Sequence, residues 1–174
     1  MLRVFLSSTS KDLENFREIM LDALNESVDG VGMENFIPDG TYSQDVSIRE
    51  IRKCDIVIFL ITPFYGTLLE DCIIKDCKVE NCSMKIKNEP ISYTHCEYKV
   101  TKAEGKLHQT YFIPKHFKEK ITSKISSEIN IEEKIKQFLE EVGKENYFKI
   151  KNIEDSGIIE IITHHLVNNI VEWY

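Results

Sequence analysis

The sequence predicts an α/β fold in which helices cover a mostly parallel sheet. Strand-like and helix-like segments alternate along the 174 residues, which is typical of this class. The segment "DIVIFLIT" at 55–62 is apolar without alternation, as expected for a strand buried on both faces of a parallel sheet. Apolar residues also recur at helical spacing from 11 to 27, which predicts a helix directly after the first strand.

The N-terminal elements are predicted in the order strand, helix, strand. The apolar run "LRVFL" at 2–6 predicts the first strand, and the polar "SSTS" at 7–10 predicts a loop that leads into the helix. The dipeptide "DG" at 29–30 favours a turn that ends this helix. The segment "VGMENFIP" at 31–38 then predicts a second strand.

The middle of the chain combines the strongest strand signal with a long irregular segment. A short helix is predicted over "DVSIREIRKC" at 45–54, immediately before the strand at 55–62. The stretch from about 63 to 91 shows no regular pattern and is interpreted as an irregular, cysteine-containing excursion. A helix that ends near Gly105 follows it.

The C-terminal part continues the alternation. A strand is predicted over 108–113, a helix around 129–143, a strand over 146–150 and an amphipathic helix over 155–173. We find no internal repeat, low-complexity tract or linker, so residues 1–174 are predicted to form a single domain.

Composition narrows the classes of partner. The net charge of −7 weighs against a nucleic-acid partner, whose affinity comes from lysines and arginines that neutralise phosphates. No apolar run approaches the roughly 20 residues that a membrane span requires, and the N-terminus does not resemble a signal peptide. A cytoplasmic, reducing location is therefore expected, in which cysteines are free thiols or metal ligands.

The predicted topology gathers polar residues at one edge of the sheet. Ligands of open parallel sheets bind at the carboxyl ends of the strands, where the strand order switches. If the order is flavodoxin-like, this point lies between the first and third strands. The loops at 7–10 and 62–67 then line a cleft that the helix carrying Glu97 also reaches. The residues placed there are Ser7, Ser8, Thr9, Tyr65, Gly66 and Glu97.

Each of these residues also has a purely structural interpretation. Thr94 and Glu97 have the spacing of a capping box, so Glu97 can serve the helix alone, the ligand, or both. The hydroxyl groups at 7–9 suit the N-terminus of the first helix and equally suit a phosphate. Tyr65 and Gly66 are typical of a turn, with a platform for a nucleobase as the alternative.

The cysteines suggest a metal site near the same cleft. Cys72, Cys77 and Cys82 are spaced by four residues, and Cys96 follows a histidine at the start of the Glu97 helix. Thiolates are ligands that tetrahedral zinc prefers, although the spacing differs from that of zinc ribbons. A structural zinc held by these four residues would order the excursion, and ordinary thiols are the alternative. No cofactor is expected to be required for catalysis.

Four motifs in order resemble a TIR-like domain family of unknown function. They are "VFLSSTSKDLENFRE", "VGMENF", "SIREIRKCDIVIFLITPFYGT" and "SYTHCEY", and they lie between residues 4 and 98. The resemblance implies a flavodoxin-like, TIR-like three-layer sandwich with a five-stranded, mostly parallel sheet. Members of this family commonly precede NLR-like ATPase modules. The excursion is longer than usual for the family, and the continuation after Tyr98 is not alanine-rich as it usually is.

The wider resemblance to TIR domains implies a function. TIR enzymes that cleave NAD carry a glutamate early in the third helix and a glycine-lysine before the fourth strand, which Glu97 and Gly105-Lys106 match. It also implies that Glu34 and Ser92 contribute to the nucleotide site, and that residues 38–45 form the loop that gates it and mediates self-association.

Two functions of different classes follow from the resemblance. In the first, the domain cleaves the N-glycosidic bond of NAD or a related nucleotide in antiviral, innate-immune signalling, as an NAD nucleosidase. Glu97 would then stabilise the developing ribose cation. In the second, it is a non-catalytic module that binds a partner protein or a signal nucleotide. The sequence contains no motif of a serine hydrolase, phosphate loop or zinc protease.

Overall fold

A parallel sheet forms the centre of the molecule, which we describe from a computed structural model. The strands are β1 (Arg3–Ser8), β2 (Asp29–Val31), β3 (Ile56–Ile61) and β4 (Leu107–Phe112). Their order is β2-β1-β3-β4, and every neighbouring pair is parallel. The structure describes residues 1–9, 13–33, 44–112, 131–143, 148–149, 162, 164–165 and 168.

The edge beyond β4 carries one further short segment. Phe148–Lys149, labelled β5, pairs in parallel with Tyr111 and Phe112 of β4. The other residues of the strand predicted over 146–150 lie outside the described ones. The structure confirms an α/β fold with a parallel sheet, and the switch in strand order lies between β1 and β3 as expected.

Helices lie on both faces of this sheet. They are α1 (Glu14–Asn25), α2 (Gln44–Lys53), α3 (Ser83–Lys87), α4 (Tyr93–Ala103) and α5 (Ile131–Gly143). Successive residues of a strand point to opposite faces, so each strand contributes to two cores. One core joins the even-numbered residues of β1 and β3 to α1 and Ile162, and the other joins the odd-numbered residues to α2, α4 and α5.

Strand β3 accounts for much of this packing. All six of its residues are buried, which confirms the prediction of a central strand covered on both faces. Each buried aliphatic side chain contributes about 1.5–3 kcal/mol relative to an exposed one. A polar substitution in β3 would therefore destabilise both cores at the same time.

The second strand begins earlier than the sequence predicts. It spans Asp29–Val31, so "DG" starts the strand instead of breaking the chain before it. The Gly30 N–H donates to Asn25 Oδ1 at 2.8 Å, and a Cβ at Gly30 would lie 3.0 Å from that oxygen. The close approach of α1 therefore favours glycine at this position. Residues 34–38 of the predicted strand lie outside the described ones.

The first strand also differs from its prediction, because it continues through Ser7 and Ser8. These residues pair with Phe59 and Leu60 of β3, so they are strand residues and not a loop. Pairing with a long neighbouring strand overrides the low strand propensity of serine. As a result, two hydroxyl side chains extend the sheet at its carboxyl end.

The excursion between β3 and α4 packs into the main core. Its ends are joined by an antiparallel bridge between Leu68 and Ser92, and the Leu69 N–H donates to Ile91 O at 2.8 Å. The buried residues of the excursion, Leu69, Ile74, Cys82, Met84 and Ile91, belong to the core on the α4 face. It also contains the short helix α3, which the sequence pattern did not predict.

The C-terminal helix predicted over 155–173 falls largely outside the described residues. The four residues described in this stretch are all helical, and Ile162 is fully buried in the core with α1. Among the helices that the structure does describe, none is long and apolar enough to cross a membrane.

Candidate functional site

The carboxyl end of β1 is polar on both faces of the sheet. After the apolar Val4, Phe5 and Leu6, the strand ends in Ser7 and Ser8, followed by Thr9. These three hydroxyl residues are only 2%, 7% and 6% exposed. Buried hydroxyl groups require hydrogen-bond partners, because an unsatisfied one costs about 1–3 kcal/mol. The partners of the two serines are both charged side chains.

Glu97 is the partner on the face covered by α4. The Ser7 hydroxyl donates to Glu97 Oε2 at 2.6 Å, and Glu97 is only 3% exposed. The two residues are 90 positions apart in sequence, so the fold brings them together. A short hydrogen bond from a hydroxyl to a carboxylate is one of the stronger types and fixes the orientation of the carboxylate.

Arg17 is the partner on the opposite face. Its Nη1 donates to Ser8 Oγ at 2.6 Å and to Ser8 O at 3.3 Å, and the residue is only 1% exposed. The sequence interpretation missed this residue. A signal was present, because Arg17 lies at helical spacing from the buried Leu13 and Leu21 and therefore interrupts an apolar face of α1 with a cation.

Gly66 lies where three segments meet. Its φ is +89°, and a Cβ there would lie 2.8 Å from Thr9 Cγ2 and 3.9 Å from Ser92 Cβ. Glycine is the residue that adopts this conformation without steric cost. The structure thus brings together Thr9 after β1, Gly66 after β3 and Ser92 at the start of α4.

The capping box predicted for α4 is wrong. Ser92 is the N-cap, with an extended backbone, and its hydroxyl accepts from the His95 N–H at 3.2 Å. Thr94 lies inside the helix, because the bridge between Ser92 and Leu68 holds Ser92 extended and starts the helix after it. Glu97 therefore follows the first turn, and its described partner is Ser7.

The alternative in which Ser7 and Ser8 cap α1 is wrong as well. Both are residues of β1, whereas the N-cap of α1 is Leu13, which forms no side-chain capping bond. The intervening residues 10–12 lie outside the described part of the chain.

Tyr65 packs against His95 in the first turn of α4. It is 3% exposed, and its hydroxyl lies 2.8 Å from His95 Nδ1. The Tyr65 ring makes edge contacts with the rings of His95 and Phe138. Burial raises the pKa of Tyr65 well above its usual value, so the phenol stays protonated and donates to the imidazole.

His95 continues this contact into an ion pair. Its Nε2 lies 3.0 Å from Glu141 Oε2, and Lys99 Nζ lies 2.8 and 2.9 Å from the two oxygens of Glu141. Burial lowers the pKa of His95 even though Glu141 opposes the shift, so the imidazole is neutral at pH 7. The hydrogen bonds then run from Tyr65 to His95 and from His95 to Glu141.

Glu141 stays ionised in this network. Burial alone would raise its pKa, but the hydrogen bonds and charges of His95 and Lys99 outweigh burial and lower the pKa to about 2. Because His95 is neutral, we attribute the lowered pKa of Glu141 mainly to the positive charge of Lys99. These residues line a cavity of about 230 Å³ between α3, α4 and α5.

The four cysteines of the predicted metal site contribute to the core on the α4 face, and Gln44 Nε2 lies 4.0 Å from Cys72 Sγ. Cys82 and Cys96 are buried, Cys72 and Cys77 are partly buried, and all pack into the core on the α4 face. The Gln44 amide lies 3.1 Å from Cys96 Sγ, and burial raises the pKa of Cys96 strongly, which favours the thiol. Across the described ranges, no three His, Cys, Asp or Glu residues are grouped to hold a metal.

The excursion is ordered by its own packing, so the reason for expecting zinc there is removed. The four thiols, as they lie, do not form a ligand set. A structural zinc stays a prediction, which metal analysis of the purified protein would test. Cys54 is buried in the same core, and burial raises its pKa to about 11.

Gly105 and Lys106 lie between the C-terminus of α4 and the start of β4, whereas Ser7 and Ser8 lie at the carboxyl end of β1. Lys106 Nζ donates to Arg52 O at 2.6 Å and to Cys54 O at 2.5 Å, so it closes the C-terminus of α2. Glu34 and residues 38–43 lie outside the described part of the chain. Asp45 and Arg49 form an exposed pair at 3.6 Å.

Comparison with protein families identifies one family that matches this chain. A search of curated proteins found no match. A protein family described as "Domain of unknown function (DUF4062)" matches residues 3–161, which include every strand of the sheet and the residues at the carboxyl end of β1. Because this match covers most of the 174 residues, the chain belongs to the DUF4062 family of domains of unknown function.

Proposed function

We propose that this chain is a TIR-like, nucleotide-binding domain that cleaves the N-glycosidic bond of NAD or a related nucleotide. The single observation that carries the proposal is the 2.6 Å hydrogen bond from Ser7 to the buried Glu97. It lies at the carboxyl ends of parallel strands, beside the switch in strand order between β1 and β3. This is the position at which open α/β sheets bind ligands.

The chemistry requires one well-oriented carboxylate. When the bond between ribose C1′ and the nicotinamide nitrogen breaks, its electron pair leaves with nicotinamide and a cation develops on the ribose. Glu97 would stabilise this charge, and water would then add to C1′ and release a proton. A carboxylate held in place before the reaction stabilises the transition state more than one that must reorganise.

Ser7, Ser8 and Thr9 would form the wall of the nucleotide site in this proposal. Ser7 orients the carboxylate, while the Arg17 guanidinium holds Ser8 and so stiffens the end of β1. Gly66 lies close to both Thr9 and Ser92, and Glu34 is proposed to complete the site by resemblance alone. The five-stranded, flavodoxin-like sandwich of TIR domains is the fold that this proposal assumes.

A second candidate function is supported by a different observation. Glu97 is only 3% exposed, which is typical of a carboxylate that serves the structure. In this alternative the domain is a non-catalytic module that binds a partner protein or a signal nucleotide. The resemblance to TIR-like domains suggests, for either function, self-association and an NLR-like ATPase module as partner in immune signalling.

The decisive experiment measures nicotinamide release from NAD by the purified protein. We expect release by the wild type and a loss of about 10²- to 10³-fold in Glu97→Gln, because the charge is lost while the shape is kept. Glu140→Gln is the matched control, since Glu140 is exposed on α5 and does not line the cavity. Thermal unfolding of each variant confirms that it is folded.

Two outcomes would contradict the enzyme. Wild-type protein that releases no nicotinamide, even at high concentration or when fused to a clustering scaffold, would support the non-catalytic alternative. Equal rates in Glu97→Gln and Glu140→Gln would leave an enzyme whose catalytic residue is not Glu97. Ser7→Ala, which removes the orienting hydroxyl, is expected to lose about 10-fold in rate.

A further inference from the structure

The cavity between α3, α4 and α5 is separate from the site proposed for the nucleotide. Its volume is about 230 Å³, and its walls come from the excursion, from α4 and from α5. One molecule of liquid water occupies about 30 Å³, so the cavity has room for roughly seven to eight waters. Sites for drug-sized ligands start at about 300 Å³, so this cavity suits a smaller molecule.

The cavity has an excess of positive charge. Lys87, Lys99 and Lys134 line it, whereas Glu141 is its single acidic residue. Glu141 is already paired with Lys99 at 2.8 Å. Within the described residues, Lys87 and Lys134 form no salt bridge, so two ammonium groups are available to a ligand.

The floor of the cavity is satisfied without a ligand. The Tyr65 hydroxyl bonds to His95 Nδ1, and His95 Nε2 bonds to Glu141. His95 and Phe138 also stack with their ring centroids 4.3 Å apart, which holds the imidazole in place. The floor is therefore a fixed and uncharged surface, and the charge lies on the walls.

The remaining lining residues have two kinds of chemistry. Asn81, Ser83 and Gln137 contribute amide and hydroxyl groups that donate and accept hydrogen bonds. Ile86 and Ile91 contribute apolar surface. Paired polar and apolar walls suit a ring whose edge carries hydroxyl groups and whose face is apolar, as in a sugar.

We propose that this cavity binds a small phosphate monoester with a hydroxylated body, of the size of a pentose phosphate. Lys87 and Lys134 would neutralise the two charges of the phosphate, and the amides of Asn81 and Gln137 would bind the hydroxyl groups. The proposal does not rest on the function proposed for Glu97.

Isothermal titration calorimetry of the full chain tests this proposal with three probes: ribose 5-phosphate, inorganic phosphate and ribose. We expect ribose 5-phosphate to bind with a Kd of about 0.1–1 mM in low salt, phosphate more weakly, and ribose weakest. Added sodium chloride should weaken the binding of both anions, because it screens charges near the surface.

Lys134→Gln and Lys136→Gln form a matched pair on α5. Lys134 lines the cavity and Lys136 does not, and both substitutions remove one charge from the same helix. We expect Lys134→Gln to weaken ribose 5-phosphate binding about 5- to 10-fold and Lys136→Gln less than about 2-fold. Gln137→Glu, which adds a negative charge to the wall, should abolish binding.

Several results would overturn the proposal. These are no binding of ribose 5-phosphate at 10 mM, binding of ribose as tight as that of its phosphate, or equal effects of Lys134→Gln and Lys136→Gln. Glu97→Gln should leave the affinity unchanged. The two proposals are separated if ribose 5-phosphate still binds to a variant that has lost nicotinamide release. They are also separated if it binds to a wild-type protein that releases no nicotinamide.

Discussion

Two regions that flank helix α4 each hold a buried or half-buried carboxyl group, Glu97 of α4 itself and Glu141 of α5, with partners of different kinds. At the carboxyl end of β1, Glu97 is almost fully buried and accepts a hydrogen bond from the neutral hydroxyl of Ser7, which is one of its partners. In the cavity beside α5, Glu141 is about one-third exposed and pairs with the Lys99 ammonium. A hydroxyl orients a carboxylate without cancelling its charge, whereas an ammonium cancels it.

Because of this difference, we expect the carboxyl end of β1 and the cavity beside α5 to tolerate substitutions to different degrees. The strand-end region is dry and tightly packed, so an added or deleted atom changes the free energy of unfolding directly. The cavity lies at the edge of solvent, so substitutions there change charge and pH dependence more than stability. The predictions below compare the two regions, from the largest expected effect on stability to the smallest.

Gly66→Ala should be the most damaging substitution in the comparison. The new Cβ would lie 2.8 Å from Thr9 Cγ2, and the residue would keep a φ of +89°. Strain and overpacking together predict a loss of about 2–4 kcal/mol in the free energy of unfolding, measured by urea denaturation.

Gly105→Ala is the matched control for this prediction. Gly105 also has a positive φ, +65°, but a Cβ there would meet no described atom within 4 Å. It should cost only about 1 kcal/mol, from the backbone conformation alone. Equal losses in the two variants would show that Thr9 and Gly66 are not in close contact.

Ser8→Ala should have an intermediate effect. It removes the acceptor that lies 2.6 Å from Nη1 of the fully buried Arg17 and leaves that donor the longer 3.3 Å bond to Ser8 O. We expect a loss of about 1–3 kcal/mol in urea denaturation. Ser83→Ala, in the wall of the cavity, removes only an exposed 3.4 Å hydrogen bond to Glu89 O and should cost less than about 0.5 kcal/mol.

His95→Gln should change the pH dependence of stability. Burial lowers the pKa of His95 below its ordinary value of 6.5, so the unfolded chain binds this proton more readily than the folded one. The stabilisation is complete above the unfolded value and is lost as the pH falls through and below it. The contribution of this group to the slope is at most about 1.4 kcal/mol per pH unit.

Urea denaturation between about pH 7.5 and 5 measures this slope. The groups that face His95 are Tyr65, Lys99, Lys134 and Glu141, and the pKa of Glu141, about 2, lies below this window. His164→Gln, which removes an exposed imidazole, is the matched control. A slope that His95→Gln does not reduce would show that the imidazole is not buried neutral in the folded protein.

The sequence predicted those parts of the fold that depend on local pattern. The apolar run of β3 and the helical spacing of α1 and α5 are visible in the chain itself, and each element was found within a few residues of its expected bounds. Pairing between strands is not local. It extended β1 to Ser8, moved the start of β2 to Asp29 and selected Ser92 over Thr94 as the cap of α4.

Some features of the candidate site could likewise be predicted from the sequence, and others could not. The proximity of Ser7 and Glu97 followed from topology, because both lie at the carboxyl edge of a parallel sheet. The direction of a side chain cannot be derived from topology, so the contact of Tyr65 with His95 was not predicted, and a role of Tyr65 at the nucleotide stays a prediction. The His95–Glu141 contact spans 46 residues between two helices, and no local pattern indicates it.

The bridge between Leu68 and Ser92 has a consequence for how this chain can change in evolution. Because the two ends of the excursion are hydrogen-bonded to each other, the residues between them form a closed loop. The entropy of closing such a loop grows only with the logarithm of its length, so doubling the loop costs about 0.6 kcal/mol. Insertions at its exposed positions therefore add little closure entropy and leave the bridge at Ser92 in place, whereas deletion of Leu69 or Ile74 would remove core packing. Chains with shorter or longer excursions can keep the same strand-end geometry.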